Sequence, residues 1–355
     1  MLCAACVCMC GWLCVRIAQP VAMGRFLPLP VCCCWWAVTL GAAAAAVPTV
    51  DDLAADWVQA GEEVDMPQIS AFTNELGTNS DDLFSINSFL SAPFASGTSL
   101  CTMLVDGVQL RPTRHRYRAY EATRQANHSG TRVTVATRPA FAEPAVLWQV
   151  TFEGGAAAGW AHTVSLALTP LVRQVTALPW VNKYPNRTSD FNFSLSSSAA
   201  AGGGGGGGGA PFLYSRDKHS AAQSAFGFVH GSTEQQAQWS VSPGGGWVNL
   251  TATVAKGRST TLRFLFVVGN ATWPLAAAPE RGSRNNGSRG STGGVIRRYQ
   301  ELADLSSWTR AWDGAAMQWE RRWQAAFTPG NGHFSGHLPT LVSPSAELSR
   351  TSSIN

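Results

Sequence analysis

From about residue 100 to residue 270 the chain alternates apolar and polar positions with a period of two, punctuated by Gly, Pro, Ser and Asn. In RHRYRAY, 114–120, the residues Arg114, Arg116 and Arg118 fall on one side and His115, Tyr117 and Ala119 on the other, because successive strand side chains point to opposite faces. Further strands are predicted at RVTVAT (132–137), VLWQVTF (146–152), TVSLALTPLV (163–172), SAFGFVH (224–230), QWSVS (238–242), WVNLTATVA (247–255) and TTLRFLFVVG (260–269). These runs are rich in Val, Thr, Phe and Trp, which suit a pleated, half-buried surface. Many short strands with hardly a helical window between them predict a mostly β fold. We read 50–275 as a large antiparallel, supersandwich-like β-sandwich.

The period then changes. Over 295–327 Trp308, Trp312, Trp319, Trp323 and Phe327 recur at spacings of four, seven, four and four, while Arg310, Asp313, Glu320 and Arg321 point elsewhere. This is an amphipathic helical linker, with the Ser306–Ser307 pair and Gly314 as the places where it divides in two. Its aromatic face would pack on a neighbouring domain or stack against sugars. The sequence Thr-Pro-Gly at 328–330 stops it. Two low-complexity inserts, 194–211 with its eight successive glycines and 276–294, are expected to be disordered loops because ordering so much glycine costs too much entropy. A GxGxxG match inside the polyglycine has no phosphate-binding meaning, since no strand leads into it.

Composition adds the compartment. Eight of the nine cysteines fall within the first 34 residues, which is a leader rather than a disulfide framework. Residues 1–46 read as a signal peptide, with small residues offering cleavage near Ala46, or as an uncleaved signal anchor; Met23 is an alternative start. Only in the second case would the chain touch a membrane. Six Asn-x-Ser/Thr sequons, at Asn127, Asn186, Asn192, Asn249, Asn270 and Asn286, fit an extracellular or lumenal glycoprotein. Cys101 is then either a buried free thiol or the partner of a cysteine elsewhere. A charged fraction of 14% and a net charge of +4 exclude a nucleic-acid binder built on long basic tracts, and the arginine row of 114–118 reads as a solvated strand face.

Candidate chemistry is sparse. His333 and His337 stand four apart, yet they lack the Glu of a zinc-protease helix, Gly336 lies between them and Pro339 follows, so no metal site is expected. There is no Gly-x-Ser-x-Gly elbow, and Cys101 stands in an apolar setting. Glycoside chemistry needs two carboxylates about 5–10 Å apart on rigid elements. Asp81, Asp82, Glu143, Glu153, Asp190, Asp304, Asp313 and Glu320 show no pattern that singles out such a pair. No catalytic residue and no cofactor is therefore assigned.

A leader, a sandwich with VDGVQL (105–110) and YEATR (120–124), a linker with W-x-x-x-W and WERRW, and then FTPGNGHFSGHLPTL together resemble the front portion of six-hairpin glycosidases. The resemblance implies an N-terminal sandwich joined by helices to an (α/α)6 toroid that hydrolyses glycosidic bonds, with 328–355 as the toroid's beginning. Trp308, Trp312, Trp319, Trp323, Phe327, Phe334 and Leu338 would form the domain junction. The family's catalytic carboxylates lie in the toroid, so none carries over to a position here. The expectation is a non-catalytic N-terminal portion, truncated before the toroid, whose full-length form acts on carbohydrate. Without the toroid the Trp308–Phe327 face should be exposed. The rival is a stand-alone carbohydrate-binding or cell-surface β-sandwich using exposed tryptophans as platforms.

Overall fold

A computed structural model describes residues 49–51, 57–59, 69–71, 74–78, 81–96, 99–141, 143–154, 160–174, 187–197, 211–229, 237–254, 257–270 and 294–327. The chain divides into two compact units, 1–46 and 47–355, and all described residues belong to the second.

Three antiparallel sheets are present among the described residues. The largest has nine strands, in the order β1 (Val58–Gln59), β8 (Arg114–Arg118), β9 (Glu121–His128), β10 (Thr131–Pro139), β11 (Ala145–Gly154), β19 (Ser259–Asn270), β16 (Ala222–Phe228), β15 (Pro211–Asp217) and β14 (Phe191–Ser197). A five-stranded sheet runs β17 (Gln238–Ser242), β18 (Gly245–Val254), β12 (Trp160–Leu168), β6 (Cys101–Val105) and β7 (Val108–Gln109). Another runs β13 (Arg173–Gln174), β5 (Phe94–Ser96), β4 (Ile86–Ser91), β3 (Glu75–Thr78) and β2 (Ile69–Ser70). The protein is thus a mostly β sandwich followed by helices, as the strand pattern predicts.

The side-chain period decides what each face covers. On β11 Val146, Trp148, Val150 and Phe152 enter the core between the sheets, together with Phe264, Phe266 and Val268 of β19 and Phe226 of β16. The intervening Ala145, Leu147, Ala225, Leu265 and Val267 face the opposite way, into a second cluster with the helices. β11 over 145–148 and β19 over 264–268 are therefore buried on both faces, which is why those stretches, AVLW and FLFVV, run apolar. β18 alternates buried and exposed instead, one face wet.

The helices are α1 (Gly294–Leu302) and α2 (Leu305–Phe327). Gly227 and Gly269 let α1 approach: a Cβ on the first would collide with the Tyr299 side chain, and one on the second would lie 2.9 Å from a Val295 methyl. Tyr299 is wholly buried, and its hydroxyl donates to the Phe228 carbonyl at 3.3 Å. Burial in apolar surroundings raises its pKa far above the ordinary tyrosine value.

The structure corrects the sequence reading in three places. The helical linker divides at Ala303–Asp304, not at the serine pair or at Gly314, because the Asp304 carboxylate accepts the amides of Ser306 and Ser307, each at 3.1 Å, and so caps α2. The 194–211 insert is narrower than expected. Ser194–Ser197 and Pro211 belong to the β14–β15 ladder, with Leu195 opposite Leu213 and Ser197 opposite Pro211. The arginine row of β8 is half-buried rather than solvated: the Arg114 guanidinium lies 4.5 Å from the Trp57 ring, and Arg118 pairs with Glu121 at 3.1 Å. The strand pattern marks none of β1 to β5, β9, β14 and β15.

Candidate functional site at the helix–sandwich seam

The seam begins with two tryptophans of the predicted stripe. Trp308 and Trp312 stack at 4.9 Å between ring centres, one helical turn apart on α2. The indole N–H of Trp308 donates to the Phe264 carbonyl at 3.1 Å, reaching the backbone of the central strand β19. Both rings are buried, Trp308 at 1% and Trp312 at 8% exposure, which corrects the expected exposure of the aromatic face at these two positions. The nine-stranded sheet itself covers them.

Arg138, at the end of β10, ties the seam from the strand side. Its guanidinium lies 4.2 Å from the Trp312 ring, donates to the Trp312 carbonyl at 2.8 Å and donates through Nε to Glu121 at 2.7 Å. Along α2, Trp319 is half-buried and donates its indole N–H to the Ser70 carbonyl at 2.8 Å. Trp323 is half-buried too. Phe327 closes α2. Phe334 and Leu338, with the His333–His337 pair, lie outside the described residues.

Beside the seam, between α1, α2 and the turn after β10, opens a groove of about 740 Å³. Phe141, Glu143, Arg298, Arg310, Gln318 and Arg322 line it. Arg298 is its hub: it forms an ion pair with Glu143 and donates to Glu301 at 3.0 Å. Partial burial would raise the Glu301 pKa, but the hydrogen bonds from Arg298 and Arg297 outweigh it and hold the carboxyl below the usual range. Glu143 shares the same guanidinium. The groove presents guanidinium, carboxylate, amide and aromatic groups to a ligand. Its volume falls in the range of small-ligand clefts.

The other predicted positions are scattered. Asn127, Asn192 and Asn249 stand exposed on β9, β14 and β18, and Asn270 is partly exposed at the end of β19. Asn186 and Asn286 lie outside the described residues. Cys101 is a buried free thiol, and burial pushes its pKa well above the ordinary thiol value. Asp82 is spent on structure: its Oδ1 accepts the amides of Phe84 and Ser85, each at 2.7 Å.

Two constellations have no signal in the sequence pattern. Arg124, in the YEATR segment, is completely buried and donates to the carbonyls of Ser85 (2.6 Å), Asp82 (2.9 Å) and Phe84 (3.4 Å) and to the Thr137 hydroxyl (3.2 Å), pinning the β3–β4 connection to β9. At the other end of the sandwich Asp106, His128 and His162 converge.

No known protein family matches the sequence, and no curated protein does. Among solved structures the chain is similar to a protein described as a kojibiose phosphorylase from the human microbiome, at 7% identity and a TM-score of 0.44, over 73% of this chain and 35% of that one. It is also similar to a galactose mutarotase related enzyme from Lactobacillus acidophilus (8% identity, TM-score 0.36, 57% of this chain, 97% of the other). A protein described as an aldose 1-epimerase from Escherichia coli K12 gives 9% identity and a TM-score of 0.34, over 61% of this chain and all of that one. The chain spans about a third of the length of the phosphorylase.

Proposed function

We propose that this chain is the carbohydrate-binding sandwich and helical linker of a secreted, N-glycosylated protein that acts on glycosidic bonds. Binding and positioning fall to this part, and hydrolysis to a helical toroid reached through α2. The observation that carries the reading is the groove where the linker meets the sandwich. Planar guanidinium, carboxylate and amide groups around an aromatic ring match the paired hydroxyls and apolar faces of sugars. The sequence resemblance at 308–350 supports the same reading. The seam supports it as well: Trp308 and Trp312 fix α2 to the sheet beside the groove.

The test is a glycan array, followed by calorimetry, on full-length chain produced in a secretory host. Arg310 and Gln318 are exposed or half-exposed lining residues of the groove, away from the buried seam. Arg310→Ala with Gln318→Ala should weaken oligosaccharide binding about tenfold or more, the scale of one or two charged hydrogen bonds. An array with no retained glycan, or binding untouched by the double change, would sink the proposal.

One observation favours the rival stand-alone sugar-binding sandwich. Trp247 is 43% exposed on the wet face of β18, which also carries Thr251 and Thr253. The sequon at Asn249 stands two residues away on that same face, so a glycan there would cover the platform. If Trp247→Ala abolishes binding and the groove variants do not, the stand-alone reading replaces ours.

A further inference from the structure

We propose that Asp106, His128 and His162 form a site for a divalent transition cation, zinc first, which clamps the two sheets together at one end of the sandwich. One ligand atom from each residue lies within 4.8 Å of the others. Asp106 Oδ2 is 2.8 Å from His162 Nδ1 and 3.1 Å from His128 Nε2. Zinc bound to nitrogen and oxygen at about 2.0–2.1 Å keeps tetrahedral donor atoms about 3.3 Å apart, so the closest pairs need only small adjustments. Two imidazoles with one carboxylate select zinc-like ions over calcium or magnesium, which prefer all-oxygen shells.

The positions are set by rigid backbone. Asp106 and Ser129 occupy the first place of two tight hairpin turns, at φ of 51° and 49°, each followed by a glycine at 78°. The first turn joins β6 to β7 and the second joins β9 to β10, so the five-stranded and nine-stranded sheets each present one turn to the cluster. The partners behind the ligands are also in place. Asp106 Oδ1 accepts the Thr163 amide at 2.8 Å, which orients the carboxylate. His162 Nε2 bonds the wholly buried Thr131 hydroxyl at 2.9 Å, and its ring stacks on Phe152 at 5.9 Å, so Nδ1 is aimed at the cluster. A second ring nitrogen fixed in this way is the usual support of a metal-binding imidazole.

Access is graded. The His162 side chain is 2% exposed, His128 16% and Asp106 37%. The site is closed by protein behind and open to solvent in front, which leaves a fourth position for water or a ligand group. With the two sheets bridged, the cation would act chiefly by holding the folded state.

Full-length chain, stripped with a chelator and dialysed, is titrated with zinc alone by calorimetry and followed by thermal melting, with calcium and magnesium as parallel arms. Saturable uptake of one zinc with a rise in Tm is expected, and X-ray absorption should show two nitrogens and an oxygen as protein ligands; calcium and magnesium should do neither. His128→Ala, which leaves the Asn127 sequon intact, and Asp106→Asn, which keeps the carboxamide oxygen for the Thr163 amide, should each weaken zinc at least tenfold to a hundredfold. A double His333→Ala, His337→Ala variant should titrate like the parent. No saturable zinc uptake, or uptake that survives both cluster variants and vanishes in the double variant, would overturn the assignment.

Discussion

The two faces of the nine-stranded sheet each bury a tryptophan in almost the same way. Trp148, on the face toward the other sheets, donates its indole N–H to the Phe84 carbonyl at 3.1 Å and stacks on the Phe84 ring at 5.1 Å. Trp308, on the helix side, donates to the Phe264 carbonyl at 3.1 Å and stacks on Trp312 at 4.9 Å. Their surroundings differ. Trp148 belongs to an aromatic cluster with Phe226 and Phe264 that is continuous with residues of all three sheets. Trp308 sits in a smaller cluster that holds only α1 and α2 against the sheet. The same interaction thus builds the sandwich on one face and attaches the helical layer on the other.

Truncating each ring separates these roles. Trp148→Ala removes a fully buried ring and leaves the Phe84 carbonyl only its longer hydrogen bond from Arg124, at 3.4 Å, so a loss of about 3–5 kcal/mol is expected, enough to bring a marginally stable domain near unfolding. Trp308→Ala removes as large a ring, but its cost should fall on the seam: proteolysis should cut within 294–327 and helical circular dichroism should fall while the strand signal persists. Chemical denaturation followed by both signals checks this. Equal loss of a single shared transition in the two variants would mean that both faces fold as one unit.

Arg138 tests how firmly the layer is attached. It is 12% exposed and joins Glu121, the Trp312 carbonyl and the Trp312 ring. Arg138→Ala should cost about 2 kcal/mol, below the 3–5 of an isolated buried pair, because Glu121 keeps Arg118 as a partner. Arg138→Lys keeps the charge but loses the planar fork, and should recover only part of the loss. Full recovery in the lysine variant would show that charge alone holds the seam.

The same contrast explains what the sequence could reveal. WVNLTATV alternates because one face of β18 is wet, and FLFVV runs apolar because that part of β19 is covered on both, so both strands were legible. The Trp stripe announced a helix with an aromatic face, although its cover is the adjoining sheet. Strands β2 to β5 are two to six residues long, and INSFLS of β4 shows too few repeats of the period to be read. Arg124 looked like any surface arginine, since only the tertiary fold turns three carbonyls toward it. The Asp106–His128–His162 cluster joins residues 22 and 34 apart across two sheets, a proximity that local spacing does not encode.

The smallest expected effect lies at the entry to α2, where the Asp304 cap is exposed. The Ser306 hydroxyl, and then the Ser307 amide, hold its carboxyl below the usual aspartate range. A depressed pKa means that the ionised cap contributes stability above the ordinary aspartate value and loses it as pH falls through the lower folded-state value. Asp304→Ala should therefore lower the melting of the helical layer modestly at neutral pH, and the difference from the parent should shrink in acid. Asp304→Asn, which still accepts the two amides, should stay close to the parent at neutral pH and show less of the acid dependence. Paired melts at neutral and acid pH, followed through the helical signal, would read this. An alanine effect that grows in acid would remove the cap from the account of how the helical layer is held.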